Sequence, residues 1–270
     1  MQGQALAGIR VLDLGQRMST AWCTRLLADF GAQVQYPADH PLLRQGPFDA
    51  SGHSIPARYV LANKTARGAA TAALLQEVGT FDVLVDDAMP GSAQAAELDD
   101  AQLAARQPRL LRVTITANGL TGARAVLAGN DLTAYAWSGW AAVNGIAGRP
   151  PLKGSGFQAS YQAGTLAAAV LTSALLERLA SALGQHIDIG EADVLAFTFA
   201  PALLRTAYTG QNMTQREDVD FATGPVPCKD GYFALTPSRE RFWTEAMRVL
   251  GLPDLADDVQ LPTVLALLAV

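Results

Sequence analysis

The 270-residue chain is half hydrophobic and only 17% charged, and its 20 Lys+Arg against 25 Asp+Glu give a formal net charge of -5 and a pI near 5.2. That length buries the core of one large domain or two modest ones, and the absence of a net basic field sets nucleic acid aside as the expected partner. Cys23 and Cys228 lie too far apart in sequence to suggest a disulfide framework and fit a reducing cytoplasm.

In chain order, Gly8 to Gly15 is an aliphatic run closed by glycine and reads as a strand; Thr20 to Phe30, with Leu26, Leu27 and Phe30 at helical spacing, reads as a helix. Gly31 can cap that helix, and the stretch to Tyr36 restarts an extended pattern. The first 36 residues are therefore a β-α-β unit, which requires parallel strands. Pro37 to Ala57, rich in Pro, Gly, Asp and His, is expected to be an irregular loop of functional importance. A helix over Ala69 to Val78, a buried strand over Asp82 to Asp86, a helix over Asp99 to Arg106 and a strand over Leu110 to Thr116 repeat the alternation.

These alternations predict an α/β fold built on a Rossmann-like, doubly wound parallel sheet. A glycine-rich segment from Gly119 to Pro151 interrupts them, with a helix inside it at Asn130 to Gly139. Then come a long Ala-rich helix at Tyr161 to Leu183, a strand at Gln185 to Ile189 and a helix at Glu191 to Tyr208. Pro227 to Leu235 carries the Asp-Gly signal of a hairpin, and Phe242 to Leu250 reads as a helix. The division expected is a large domain over residues 1–205 and the beginning of a smaller α+β domain over 206–270.

Residues 1–17 lack the pattern of a secretory signal, so a cytoplasmic location is expected. Leu166 to Leu176 and Val194 to Leu204 fall short of the roughly 20 apolar residues of a membrane span and read as buried helices, with no membrane partner expected. After the first strand, Gly15 to Ala21 has one glycine and no dinucleotide fingerprint, and there is no phosphate-binding loop ending in Gly-Lys-Ser or Gly-Lys-Thr. His40, His53 and His186 stand without paired ligands, so no metal is expected; His186 reads as a structural histidine and Cys23 as a small core residue.

Four blocks together resemble the family III CoA-transferases, the group that includes formyl-CoA transferase, carnitine CoA-transferase and α-methylacyl-CoA racemase. Gly8 to Gly15 with Leu26 to Val34 looks like the family's opening strand, helix and second strand. Ala62, Asn63 and Lys64 resemble a shortened Asn-x-x-Lys turn, and Asp82 to Gly91 the Asp-Val-Leu-Val strand ending in Pro-Gly. Pro108 to Leu110, Gly119 to Gly122, Asp131 and Ala136 to Gly139 match the central glycine-rich block. Ala174 to Arg178, Gly184 to Asp188 and Glu191-Ala192 match the elements after the family's active site, so that the resemblance runs from about residue 8 to 258.

The resemblance implies CoA or an acyl-CoA as ligand, no permanently bound cofactor, and in the transferases an Asp that attacks the thioester to give a mixed anhydride, from which returning CoA forms an aspartyl thioester. In the racemases, acid and base groups instead exchange a proton beside the thioester carbonyl. Counting back from Glu177 and Arg178, the position of that Asp falls on Ser160, and no acidic residue occurs between Asp131 and Glu177. A serine there reads either as a helix cap or as a hydroxyl in need of a base. Asp131 could come close to that hydroxyl in the fold but reads as packing at the start of the central helix, and Glu191 as either a supporting carboxylate or a helix-capping residue.

Two further departures are Gln35 to Ala38 at the end of the second strand and the lack of an Arg in Ser92 to Leu98. The residues left to hold CoA are Gln16, Arg17, Arg44, Asn63 and Lys64, with Lys64 the expected cation for a phosphate. Three functions compete: a CoA-binding family member without aspartyl chemistry, degenerate or acting as a partner subunit; an active acyl-CoA transferase, racemase or lyase with relocated catalytic groups; and a non-enzymatic interaction protein. Against the resemblance the chain looks short, and its uncharged tail, Leu261 to Val270, is expected to be covered in a homodimer or by a longer family member.

Overall fold

Six parallel strands set the architecture of the computed structural model, which describes residues 4–68, 71–146, 148–210, 212, 225–234 and 240–256. Two units cluster separately, Met1–Asn144 with Pro151–Met213, and Gly145–Pro150 with Thr214–Val270. The first holds β1 (Arg10–Asp13), α1 (Met18–Asp29), β2 (Gln33–Pro37), α2 (Ile55–Val60), β3 (Thr65–Arg67), α3 (Thr71–Gln76), β4 (Val83–Asp86), α4 (Ala93–Glu97), α5 (Asp100–Arg106) and β5 (Leu111–Thr116). It continues with α6 (Asp131–Trp137), α7 (Trp140–Val143), α8 (Gln158–Ser181), β6 (Gln185–Gly190), α9 (Glu191–Phe197) and α10 (Ala200–Thr209).

The strand order is β3-β2-β1-β4-β5-β6, every neighbouring pair parallel. This is the doubly wound order, in which the chain reverses its direction of travel between β1 and β4. Alternation along the strands supplies both layers. Val11, Val83, Val85, Val113 and Ile115 face α1 and α8, while Leu12, Leu14 and Leu84 pack against Leu74, Val78, Phe81 and Leu103 on the other side.

Helix α8 buries Ser160, Ala163, Gly164, Ala167, Ala168, Leu171, Ala174, Leu175 and Arg178, a stripe with helical spacing. Its small residues permit close approach to α1: a Cβ at Gly164 would stand 2.5 Å from the Ser19 carbonyl oxygen. At the far end, Arg178 anchors the stripe through hydrogen bonds to the carbonyls of Asp82 and Arg109. At 24 residues, α8 is long and apolar enough to cross a membrane by length and composition, more than the stretch Leu166 to Leu176 suggests, because Ala, Gly, Ser and Thr extend the weakly polar window at both ends. Here it packs against α1, β5 and α9.

Several local boundaries differ from the sequence pattern. Edge strand β3 has only three residues, mostly exposed, and therefore carries no hydrophobic alternation to announce it. The loop Pro37 to Ala57 contains a 3-10 turn at Pro41–Arg44 and runs into α2, whose N-cap Ser54 accepts from Ala57 N–H. The single helix expected over Glu191 to Tyr208 is two, α9 and α10, with proline in the first turn of the second; a proline there lacks the N–H that would continue the first.

The second unit contains the antiparallel hairpin β7 (Pro225–Cys228) and β8 (Gly231–Ala234), joined through the Asp230-Gly231 turn. It also contains α11 (Glu240–Val249) and α12 (Pro253–Ala256). Trp243 and Met247, four apart on α11, are fully buried. The tail at 261–270 lies outside the described residues.

Candidate functional site

The carboxyl edge of the sheet gathers the first turns of several helices. Arg17 is the N-cap of α1, directly after β1; Asn130 caps α6, with Asp131 as its first residue; Ser160 lies in the first turn of α8; and Glu191 opens α9 where β6 ends. Every one of these positions places polar side chains at a helix start along the carboxyl edge, the usual ligand position of a doubly wound sheet. The local sequence explains the order: the Asn130 side chain accepts from Leu132 N–H and Thr133 N–H while the Thr133 hydroxyl accepts from Asn130 N–H, a reciprocal cap.

A cleft of about 350 Å³ opens here, lined by Gln16, Arg17, Met18, Leu42, Gln45, Asn130, Asp131, Leu132, Lys153, Phe157 and Ser160. Behind the lining residues Arg17 and Ser160, Glu191 is wholly buried, and Arg17 meets it with both arms of its fork: Nε donates to Oε1 at 3.1 Å and Nη2 to Oε2 at 2.6 Å. Nη1 donates to the Gly129 carbonyl at 2.9 Å. The Ser19 hydroxyl donates to Glu191 Oε1 at 2.6 Å, and the Ser160 hydroxyl reaches the same oxygen at 3.4 Å. Burial by itself would lower the Arg17 guanidinium, but its bonds to Glu191 and the charges of Glu191, Asp87 and Asp131 outweigh that and hold it above its ordinary value.

A second pair lies opposite. Asp131 Oδ1 accepts from Ser160 N–H at 2.9 Å, fixing the start of α8, and Lys153 Nζ stands 2.8 Å from Oδ2, an ion pair outside hydrogen-bond geometry. Lys153 also donates to the carbonyls of Gly154 and Gly156. At the neighbouring β1–β4 junction, the Asp87 side chain accepts from Gln16 N–H at 2.9 Å. Burial pushes this carboxyl up to about 6; the Gln16 N–H and Arg17 oppose the rise, and Asp86 and Asp13 add to it.

Of the residues proposed from sequence, Gln16, Arg17 and Ser160 come together in this cleft. Arg44 ends the 3-10 turn beside cleft residues Leu42 and Gln45 but does not itself line it. Asn63 occupies a left-handed turn, φ 61°, and donates to Asp29 Oδ1 at 2.7 Å, away from the cleft. Lys64 is the clearest correction. Its side chain is fully buried beneath α1, donating to Asp13 Oδ2 at 3.2 Å, the Ala21 carbonyl at 2.7 Å and the Thr24 hydroxyl at 2.6 Å. Burial lowers its pKa, Asp13 opposes, and no surface is left to meet a phosphate.

Asp131 does open α6, as its sequence position suggests, but it also bonds to Ser160, a contact 29 residues away that no local spacing reveals. Lys153, Leu42 and Phe157 carry no motif, and only the fold brings them to the cleft. Elsewhere, His186 is held between Asp100 and Thr114, at 2.8 Å on each ring nitrogen, and burial pushes the Cys23 thiol up, as expected for a core residue. Among the described residues, no group of three His, Cys, Asp or Glu is placed to hold a metal.

Comparison with known proteins agrees with the fold. The model of CoA-transferase family III matches residues 6–267. The succinate–glutarate CoA-transferase of Agrobacterium fabrum is 27% identical over 96% of this chain and 69% of its own length. Human alpha-methylacyl-CoA racemase is 31% identical over 92% of this chain and 65% of its own length. A crystal structure of a CaiB/BaiF family protein from Brucella suis shares the fold, with a TM-score of 0.80 over 94% of this chain and 72% of that one at 24% identity. The chain thus spans about two thirds of the length of these two curated relatives, and over residues 6–267 it belongs to CoA-transferase family III.

Proposed function

We propose that this chain binds CoA or an acyl-CoA at the carboxyl edge of its parallel sheet and, by itself, performs no aspartyl-CoA chemistry, serving as a degenerate family member or as the partner subunit of a longer one in the cytoplasm. The observation that carries this reading is the identity and setting of residue 160. Ser160 lines the cleft at the position where the family resemblance puts the attacking aspartate, and the two carboxylates nearest it are committed: Glu191 to Arg17 and Ser19, Asp131 to Ser160 N–H and Lys153. A carboxylate so bonded and desolvated is a poor nucleophile toward a thioester, because attack would break the bonds that make its burial tolerable.

The test pairs calorimetry with mass spectrometry. Binding of CoA in titration calorimetry, with no covalent adduct after incubation with a panel of acyl-CoAs, is the expected result, together with co-purification of a longer family member carrying the Asp. An acyl or CoA adduct on Ser160 or Glu191 would favour a second reading, an active transferase, racemase or lyase with relocated groups, which the 3.4 Å approach of Ser160 Oγ to Glu191 makes specific. Absence of CoA binding at millimolar concentration would leave a non-enzymatic interaction protein.

A further inference from the structure

The cleft presents two cations, and each is already matched by an acid. Arg17 cannot turn away from Glu191 without leaving a fully buried carboxylate with no cation and only the hydroxyls of Ser19 and Ser160, and Lys153 lies against Asp131 while donating to two carbonyls. Asp87, held against Gln16 at the adjoining junction, adds a third acid to the field at Arg17. A ligand carboxylate placed beside Ser160 would therefore be a fourth acid against two cations, in a site partly shielded from water. Met18, Leu42, Leu132 and Phe157 supply apolar surface instead.

Resting on the reading that the family's thioester ligand enters this cleft, we infer that the acyl group it accepts is uncharged, and that Glu191, by occupying Arg17, excludes acyl groups ending in a carboxylate. Selectivity arises from an unmatched charge rather than from size.

Butyryl-CoA and succinyl-CoA test this directly, because each has a four-carbon acyl group on the same CoA and only the second ends in a carboxylate. Titration calorimetry on the purified chain, with free CoA as reference, is expected to show butyryl-CoA binding at least about tenfold more tightly than succinyl-CoA. Two variants read the cause. Glu191→Gln releases the guanidinium from its acid, and Leu132→Lys adds an unmatched cation at a cleft position that is 55% exposed and tolerant of a long polar side chain. In either variant succinyl-CoA is expected to gain about tenfold relative to butyryl-CoA. Equal or tighter binding of succinyl-CoA to the unmodified chain overturns the inference alone, as does an ester preference unchanged in folded Leu132→Lys. Failure of free CoA and both esters to bind overturns the ligand reading, and this inference with it.

Discussion

Two ion pairs draw one member each from the start of the chain, Asp13 and Arg17, and differ in what they can do. Lys64 and Asp13 lie beneath α1 with neither side chain exposed, and Thr24 and the Ala21 carbonyl complete the shell of the ammonium. Arg17 and Glu191 approach more closely, 2.6 Å against 3.2 Å, and the guanidinium side chain keeps 19% of its surface exposed while its acid keeps none. The first pair is a closed structural unit that fixes α1 to the turn before β3. The second sets the charge of a site. The difference teaches that a cation near a family motif acquires a role from its surroundings: a desolvated pair holds the fold, and a pair with one open side also decides which ligands are tolerated.

The largest expected effect is on the closed pair. Lys64→Met leaves Asp13 buried and unpaired and should cost about 3–5 kcal/mol in urea unfolding, with CoA affinity of the remaining folded protein unchanged; the double variant Lys64→Met/Asp13→Leu should recover most of that loss. A loss of CoA affinity with full stability would restore Lys64 as a ligand contact and break the comparison. Arg17→Met should be milder, about 2–3 kcal/mol, because the Ser19 and Ser160 hydroxyls continue to bond Glu191 and the cleft admits water. Unlike Lys64→Met, it should also change ligand binding.

Restoring an aspartate at 160 sharpens the contrast further. Ser160→Asp puts a second carboxylate beside Glu191 and should cost about 1–3 kcal/mol at pH 8, less at pH 5, with the loss reduced when Glu191→Gln is added. Equal stability of the single and double variants at both pH values would show that the two acids do not feel each other.

The smallest effect concerns Asp87. Its carboxyl is pushed up to about 6 in the folded chain, against about 3.9 when unfolded, so the folded state holds the proton more tightly between those values. Its contribution to stability is fully present below about pH 4 and is lost as pH rises through about 6. Asp87→Asn should abolish this dependence, raising stability by about 1 kcal/mol at pH 8 with little change at pH 4; a larger gain at pH 4 than at pH 8 would reverse the assignment.

By itself, the sequence determined the class of the sheet and the family resemblance. Valine- and leucine-rich runs separated by helical spacing force parallel strands, and the order of the short motifs places Ser160 where the family resemblance calls for an aspartate. It also determined Cys23 as core and His186 as structural, since isolated groups without partners at metal or catalytic spacing have little else to do. The tertiary structure alone decided the rest. Strand β3 is too short and polar to show a period, the break between α9 and α10 depends on a proline within an otherwise continuous apolar pattern, and the bonds from Ser160 to Asp131 and from Arg17 to Glu191 span 29 and 174 residues. Periodicity reports which face of an element is buried; it carries no information on which distant side chain waits there. Lys64 and Arg17 look alike as letters, and only desolvation, a property of the packed chain, separates the cation that holds the fold from the one that faces the cleft.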